Sequence, residues 1–279
     1  MVAQNIEVLS SGHGLLESPR CAPGSVWFAD WTRGQVLCHD LSSGGTRAVA
    51  EIASMPLCFD LDHARGQLIV FDSARGRLLR GPLDGQLEDS LDVSALSKGA
   101  GNEVLSDGSR VWLNFGNFDP RSGFPSTPIG LLAVVDAAGA RVVADTVAFP
   151  NGMALTPDGR ELVVAESHAG RLTAWTIKDD GSLSAPRVWA QVDGAAPDGI
   201  SMSPDGTCWY ADVPARRVTR VSEGGRVHEV VVLDRGAFSC AYDHARQTLY
   251  VTAAHWPGGR RMFDPTHDWD GQLIAVTGV

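Results

Sequence analysis

The hydrophobic positions of this 279-residue chain fall in short runs that recur in pairs. In each copy a turn leads into an apolar or aromatic run of strand length, and a polar turn and a second apolar run follow. The first runs of the six copies are Pro23–Asp30, Gly66–Asp72, Asp107–Leu113, Asp158–Ala165, Asp205–Asp212 and Gln247–Thr252. Runs rich in Val, Leu and aromatic residues between Gly and Asp turns predict β-hairpins, and no window shows a sustained helical period.

The spacing of the copies indicates the architecture. Six units in 279 residues average between 46 and 47 residues each. A repeat of about 40 to 50 residues with several strands is typical of a β-propeller blade. We therefore predict an all-β, six-bladed β-propeller over residues 1–279, a single domain whose blades each contain four antiparallel strands. We expect the segment Ile6–Ser10 to close the ring as an outer strand beside the C-terminal strand.

Charge and composition narrow the classes of partner. The formal net charge is -10 and no run of Lys or Arg is present, which argues against nucleic acid and anionic membranes as partners. No apolar segment approaches the roughly 20 residues of a membrane span, and the first residues lack the pattern of a signal peptide. We expect a cytoplasmic protein with a small-molecule ligand; nothing in the sequence indicates its oligomeric state.

Most familiar catalytic motifs are missing from the sequence. The five cysteines are scattered and never spaced as Cys-x-x-Cys, so they predict buried small residues and neither a disulfide framework nor a thiolate zinc site. The eight histidines are equally dispersed. The sequence contains no nucleophile elbow, phosphate-binding loop or dinucleotide fingerprint.

Two blades carry a doubled motif, in which Pro-Asp-Gly follows Pro-Asn-Gly or another Pro-Asp-Gly by seven residues. The second member contains Asp158 or Asp205 and occupies the turn before a strand, where Asp and Gly are favoured on backbone grounds alone. The first member contains Asn151 or Asp198 and lies where the chain enters the innermost strand beside the central channel. The two members are therefore predicted to have different roles.

The innermost position also holds oxygen-bearing residues in other blades. Counting back from the strand gives Glu17 and Asn102 in the first and third blades, and more loosely Leu57 and Phe238 in the second and sixth. Two carboxylates and two amides around the channel mouth suit a divalent cation, because hard oxygen ligands and two negative charges match such an ion. The alternative is that these are unrelated turn and cap residues.

Several segments, taken in order over nearly the whole chain, resemble the gluconolactonase family, which includes senescence marker protein (regucalcin) and the luciferin-regenerating enzyme. They are Glu17–Arg20, Trp27–Asp30, Val111–Gly116, Pro150–Gly159, Ala165–Ser167, Pro197–Gly199 and Leu249–Thr252. The resemblance implies a six-bladed propeller with one divalent metal, calcium, zinc, magnesium, manganese or iron, bound by Glu17, Asn151 and Asp198. It also implies that Asn102 contacts the metal or the substrate and that the substrate is a lactone.

A lactonase of this kind needs a base near the cation. Asp198 is the natural candidate, because one carboxylate oxygen can bind the metal while the other accepts a proton from water. The predicted reaction is metal-assisted hydrolysis of a cyclic ester, with Asp198 as its catalytic residue.

The chain departs from the family pattern around the third-blade Asn. The usual Arg-x-Asn-Asp reads Ala100-Gly-Asn-Glu103 here, so an Arg that reaches sugar hydroxyls is missing and Glu103 joins Asn102 as a candidate substrate-binding residue. Phe118, Phe124 and Trp256 lie in loops that could line the mouth, which leaves a less polar lactone open; the alternative is that these aromatic residues fill gaps between blades. Two other readings also stay open: a hydrolase acting on another electrophile, such as a phosphotriester, and a metal-binding propeller without catalysis.

Overall fold

The computed structural model describes residues 4–119, 123, 125–258 and 267–279. Within these residues six four-stranded antiparallel sheets form the blades of a propeller, as predicted. Five sheets are built from consecutive strands, and the sixth takes its outermost strand from the N-terminal part of the chain. None of the helices in the described ranges has the length and apolar character needed to cross a membrane.

The strands are grouped by their place in the blade. The innermost strands are β2 (Leu16–Ala22), β6 (Leu57–Asp62), β10 (Gly101–Ser106), β14 (Pro150–Leu155), β18 (Pro197–Met202) and β22 (Gly236–Asp243). The second strands are β3 (Ser25–Asp30), β7 (Gln67–Asp72), β11 (Val111–Phe115), β15 (Glu161–Glu166), β19 (Cys208–Asp212) and β23 (Thr248–Ala254). The third strands are β4 (Gln35–Asp40), β8 (Arg77–Pro82), β12 (Gly130–Asp136), β16 (Arg171–Thr176), β20 (Arg217–Val221) and β24 (Gly271–Thr277). The outermost strands are β5 (Thr46–Glu51), β9 (Glu88–Asp92), β13 (Gly139–Val147), β17 (Arg187–Gln191), β21 (Val227–Val232) and β1 (Asn5–His13).

The burial of the strands explains the continuous apolar runs of the sequence. β7 and β23 are buried along almost their whole length, because a neighbouring blade covers each face of the sheet. A strand covered on both faces has no need of polar alternation. By contrast, β21 lies at the rim and leaves most of its residues exposed. The hydrophobic core therefore lies between the blades, around the inner three strands of each.

The ring is closed by main-chain pairing between the two ends of the chain. β1 pairs antiparallel with β24, with Ile6 opposite Val276 and Val8 opposite Ile274. This pairing confirms the predicted closure by the segment Ile6–Ser10. On the inside of the ring, each innermost strand packs against the innermost strand of the next blade, and β22 packs against β2. The six innermost strands thus surround one axis.

The second Pro-Asp-Gly of each doubled motif is a turn, as predicted. Asp205 accepts hydrogen bonds from the main-chain N–H and the hydroxyl of Thr207, and Gly206 has a φ of +82°. Asp158 accepts a hydrogen bond from the Thr156 hydroxyl, which lowers the pKa of its carboxyl. A positive φ is a conformation that glycine adopts without strain. These aspartates therefore have local partners that account for them.

The five cysteines are free, and four of them are buried. Burial raises the pKa of the Cys208 thiol to about 12. A buried thiol with a raised pKa is a poor nucleophile. This burial agrees with the prediction that the cysteines act as small side chains that pack in the interior.

Candidate active site at the mouth of the central channel

The four predicted oxygen-bearing residues occupy the same place in their blades. Glu17, Asn102, Asn151 and Asp198 are each the second residue of an innermost strand. Because the innermost strands surround one axis, these four positions lie at the same end of the channel. All four line a single cavity of about 590 Å³ that opens there. A cavity of this size fits a small organic ligand.

A β-bulge accompanies each of these residues. In β14, Pro150 lies opposite Glu166 and Met153 opposite Val164, so the inner strand has one residue more than its neighbour. An extra residue also occurs around Asn102 in β10 and around Asp198 in β18, whereas in β2 it follows Glu17, which stays opposite Ala29. A bulge bends the strand and redirects the side chain within it. The bulge therefore accounts for the orientation of Asn102, Asn151 and Asp198 towards the cavity.

The two remaining blades differ at this position. β22 carries the bulge, and it brings Phe238 into the cavity wall. β6 has no bulge, and its pairing with β7 runs in unbroken register from Leu57 onward. Leu57 packs in the hydrophobic core and is not among the residues that line the cavity. The loose alignment that placed Leu57 in the ring was wrong, and Met55 and Pro56 ahead of the strand contribute to the wall instead.

The glycines that follow Asn151 and Asp198 are required by close packing. A Cβ on Gly152 would lie 2.4 Å from the main-chain nitrogen of Ile200. A Cβ on Gly199 would lie 2.0 Å from the Ser239 hydroxyl oxygen. Neither glycine has a positive φ, in contrast to Gly206 in the second Pro-Asp-Gly. These glycines let adjacent innermost strands approach closely, which keeps the channel mouth narrow.

Hydrogen bonds between blades hold the two asparagines. The Asn102 amide nitrogen donates to the Pro150 carbonyl at 3.2 Å, and the Asn151 amide nitrogen lies 3.5 Å from the Ser167 hydroxyl. Ser167 in turn donates to the Pro197 carbonyl at 2.7 Å. Since the amide nitrogens face partners within the protein, the amide oxygens are the atoms that each side chain can offer to a cation.

The two carboxylates of the set lie in an environment that disfavours their charge. Burial raises the pKa of Glu17 well above its ordinary range, and the negative charges of Asp198 and Glu103 raise it further. Burial likewise raises the pKa of Asp198, with a further contribution from the charge of Glu103. Neighbouring buried carboxylates repel one another unless a cation or a proton neutralises them.

The residues present fit a hard divalent cation. One carboxylate oxygen of Asp198, Oδ1, is buried without a hydrogen-bond partner among the described residues. A buried acceptor without a donor is costly, and a cation would satisfy it. In the part of the chain that the structure describes, no three His, Cys, Asp or Glu side chains come together as a metal site. The candidate set has only two carboxylates, so a cation there would also need neutral oxygen ligands such as the amide oxygen of Asn151.

Comparison with protein families assigns the chain. The family model described as the SMP-30/Gluconolactonase/LRE-like region matches residues 15–255. The chain belongs to this family. The matched span contains the four candidate residues and all six innermost strands of this gluconolactonase-like propeller.

One characterised relative agrees with that assignment. The chain is 27% identical over 157 residues to an L-arabinolactonase from Azospirillum brasilense, a match covering 55% of this chain and 52% of the relative. The chain therefore matches about half the length of that curated relative.

Solved structures share the fold over nearly the whole chain. A luciferin-regenerating enzyme superposes with a TM-score of 0.81 at 17% identity, covering 99% of this chain and 96% of the other. A gluconolactonase from Xanthomonas campestris gives 0.77 at 20% identity, covering 98% and 89%. Regucalcin from Agrobacterium tumefaciens, described as a calcium-binding protein, gives 0.76 at 18% identity, covering 98% and 94%.

Glu103, the other candidate substrate-binding residue, has partners inside this gluconolactonase-like propeller. Its carboxylate accepts hydrogen bonds from Arg20 Nη2 at 3.1 Å and from the Val104 main-chain N–H at 2.9 Å. Arg20 also donates to Asp60 at 2.8 Å. Glu103 is buried and is not among the residues that line the cavity. The structure thus places Glu103 in an ion-pair network of the innermost strands, next to the carboxylates of the mouth.

Sequence reasoning missed three polar residues that support the site. Arg20 neutralises two carboxylates of the channel, Ser167 connects two blades, and the amide nitrogen of Asn114 donates to the Asn151 carbonyl at 2.5 Å. Asn114 is fully buried in the second strand of its blade. The sequence signal for Asn114 was a polar residue in the middle of an otherwise apolar strand. Arg20 gave no such signal, because its partners lie 40 and 83 residues away in the sequence.

Proposed function

We propose that this protein hydrolyses a lactone with the help of one divalent cation held by Glu17, Asn151 and Asp198. The observation that carries the proposal is the buried, unpartnered Oδ1 of Asp198 beside a second buried carboxylate, Glu17, on the wall of a cavity of substrate size. The chain belongs to a family whose description includes gluconolactonase, and this membership supports lactone hydrolysis as the reaction.

Calcium, zinc, magnesium, manganese and iron are all candidates for the cation. The two carboxylates and the amide oxygens are hard ligands, which suit calcium, magnesium and manganese best. The structural similarity to a regucalcin described as calcium-binding supports calcium in particular. When bound, a divalent cation would polarise the lactone carbonyl and lower the pKa of an attacking water molecule.

Within the protein, Asp198 is the proposed general base. One oxygen of its carboxylate can bind the cation while the other accepts a proton from the attacking water. The water oxygen forms a bond to the carbonyl carbon, and Asp198 takes the proton. The bond between that carbon and the ring oxygen then breaks, and the proton passes to the departing alkoxide. The product is an open-chain hydroxy acid.

Asn102, in the blade next to that of Asn151, is the proposed contact to the substrate. Its amide nitrogen is fixed by the Pro150 carbonyl, and its side chain lines the cavity. An oriented amide can bind the cation or position the ester group. The carboxylate of Glu103 is held by Arg20, so it is not proposed to contact the substrate directly. Glu103 is proposed to affect substrate binding by fixing the position of the third-blade strand that carries Asn102.

The experiment is a pH-indicator assay with sugar, aliphatic and aromatic lactones in the presence of each candidate metal. Asp198→Asn is expected to lower kcat about 10²- to 10⁴-fold, the range for loss of a general base. Asp205→Asn is the matched control, because the same change is made in the second Pro-Asp-Gly of the same blade. Asp205 is a turn residue, so turnover should be retained. Full turnover of Asp198→Asn with metal bound would exclude the proposed role.

The same assay separates the two other candidate functions. Hydrolysis of a phosphotriester without hydrolysis of any lactone would assign the cation site to another electrophile. Stoichiometric metal binding without hydrolysis of either class would identify a metal-binding propeller that does not catalyse these reactions.

A further inference from the structure

Beyond the four oxygen-bearing residues, the cavity wall contains several large apolar side chains. The aromatic and thioether side chains that line it are Trp31, Met55, Phe118, Phe149, Phe238 and Trp256. Met55 and Trp256 are 38% and 39% exposed, although both are large and apolar. Exposed apolar side chains gathered around a concave site are typical of a surface that binds an apolar group. Phe124, also predicted to lie at the mouth, falls outside the described residues.

Ring contacts fix three of these side chains, Phe118, Phe149 and Phe238. The rings of Phe118 and Phe149 lie 5.7 Å apart between centroids, and Phe149 stacks on His168 at 4.6 Å. On the other side, Phe238 packs edge-on against Trp269 at 5.9 Å. A rigid wall loses little conformational freedom when a ligand binds, so its apolar contacts contribute more fully to affinity.

The polar groups of the cavity are largely committed to other partners. Ser167 donates to a main-chain carbonyl, and the amide nitrogen of Asn102 does the same. Lys98, Asp119 and His168 also line the cavity, and the structure leaves all three exposed. A sugar lactone carries several hydroxyls, and burying a hydroxyl without a hydrogen-bond partner is unfavourable. The wall therefore suits an alkyl or aryl group far better than a polyhydroxylated ring.

We propose that the substrate is a lactone bearing an apolar alkyl or aryl substituent on its ring, and that a polyhydroxylated sugar lactone is a poor substrate. This inference rests on the proposed lactone hydrolysis and specifies its substrate class. The ester group lies among Glu17, Asn102, Asn151 and Asp198, and the substituent lies along the wall formed by Met55, Phe149, Phe238 and Trp256.

The first test compares five-membered lactones that differ only in their substituents. The series contains γ-butyrolactone, γ-lactones with alkyl chains of increasing length, a phenyl-substituted γ-lactone and a polyhydroxylated 1,4-lactone. We expect kcat/KM to rise about fourfold for each methylene that reaches the wall, the factor given by ~0.8 kcal/mol per buried methylene. The polyhydroxylated lactone should fall below γ-butyrolactone. A sugar lactone hydrolysed as fast as the alkyl lactones would overturn the inference while leaving the proposed function intact.

Variants of the wall test the assignment of the binding surface. Met55→Ala and Trp256→Ala should reduce the rise in kcat/KM with chain length, and the loss should be about tenfold for the longest chain that Trp256 contacts. Val232→Ala is the matched control, because Val232 is also an exposed apolar residue but lies on the outermost strand β21. A chain-length dependence that is unchanged in both wall variants would overturn the proposed position of the substituent.

A binding measurement tests the inference without requiring turnover. Lactams with the same ring and the same substituents replace the lactones in calorimetric titrations, since the amide is stable under these conditions. Tighter binding with a longer alkyl chain supports the apolar substrate class, even when no lactone is hydrolysed and the proposed function fails. Equal or tighter binding of the hydroxylated lactam, or no binding by any member of the series, overturns the inference.

Discussion

Replacing Arg20 by methionine tests the ion-pair network of the channel. Arg20 is 19% exposed and pairs with Asp60 and Glu103, which are 9% and 7% exposed in their side chains. Methionine keeps the apolar stem but removes the charge. Removing one partner of a buried ion pair costs about 3–5 kcal/mol, because a buried charge is left uncompensated.

The lower end of that range is expected for Arg20→Met. Asp60 keeps the main-chain N–H donors of Leu61 and Ser106, and Glu103 keeps that of Val104. We therefore expect a loss of about 3 kcal/mol, which corresponds to a decrease in Tm of roughly 6–12 °C for a chain of this size. The loss is measured as the change in the free energy of unfolding in urea at pH 8. The change in Tm is measured by calorimetry at the same pH.

The pH dependence distinguishes charge from packing. Burial raises the pKa of Glu103, and the charge of Arg20 opposes that rise. Without Arg20 the folded carboxyl binds its proton more tightly, so the variant should be less impaired at pH 5 than at pH 8. Adding Asp60→Asn and Glu103→Gln to Arg20→Met should restore much of the stability. Equal losses at both pH values, or no recovery in the triple variant, would refute the electrostatic explanation. Arg160→Met, at an exposed ion pair, should show no measurable change.

Three further predictions follow from the fold and the mouth. Deleting residues 1–10 removes five of the six paired positions of β1, and at ~0.5–1.5 kcal/mol each we expect a loss of roughly 2.5 kcal/mol or more in urea unfolding; an unchanged midpoint would contradict closure by β1. Gly199→Ala places a Cβ 2.6 Å from Ser239 Cα, so unfolding should show a loss of about 1–3 kcal/mol; unaltered stability would contradict the close packing. In the metal-free protein, Glu17 and Asp198 have raised pKa values, so their contribution to stability is full at acid pH and lost as pH rises through those values. In the presence of a chelator, the Tm of the wild type should therefore fall more between pH 5 and pH 8 than the Tm of Glu17→Gln/Asp198→Asn. Parallel curves of Tm against pH would contradict this.

The sequence predicts the fold well because each blade repeats the same local chemistry. Turns such as that of Asp205 recur at a fixed spacing, and strands covered on both faces recur as apolar runs. The position of Asp198 and Asn151 could be read from the same repeat, since each lies at a fixed distance before its turn. Local chemistry and the number of repeats are therefore sufficient to place these residues at one end of the ring.

The bulges and the ion-pair network could not be predicted in this way. Leu57 was misplaced because a bulge is a difference between two paired strands, and one strand alone does not reveal it. The pairing of Arg20 with Asp60 and Glu103 joins three blades, so it depends on how the blades pack around the axis. The raised pKa of Glu17 has the same origin, because burial and charges from other blades cause it.

We propose that one divalent cation, held by Glu17, Asn151 and Asp198, is required for opening a lactone. The most direct measurement titrates Mn²⁺ or Ca²⁺ into the chelator-treated protein while the rate of lactone hydrolysis is followed. We predict that the rate rises to a plateau at a single equivalent of metal for the wild type and stays at background for Glu17→Gln/Asp198→Asn. A full hydrolysis rate in the metal-free protein, or an identical titration curve for the double variant, would contradict the account.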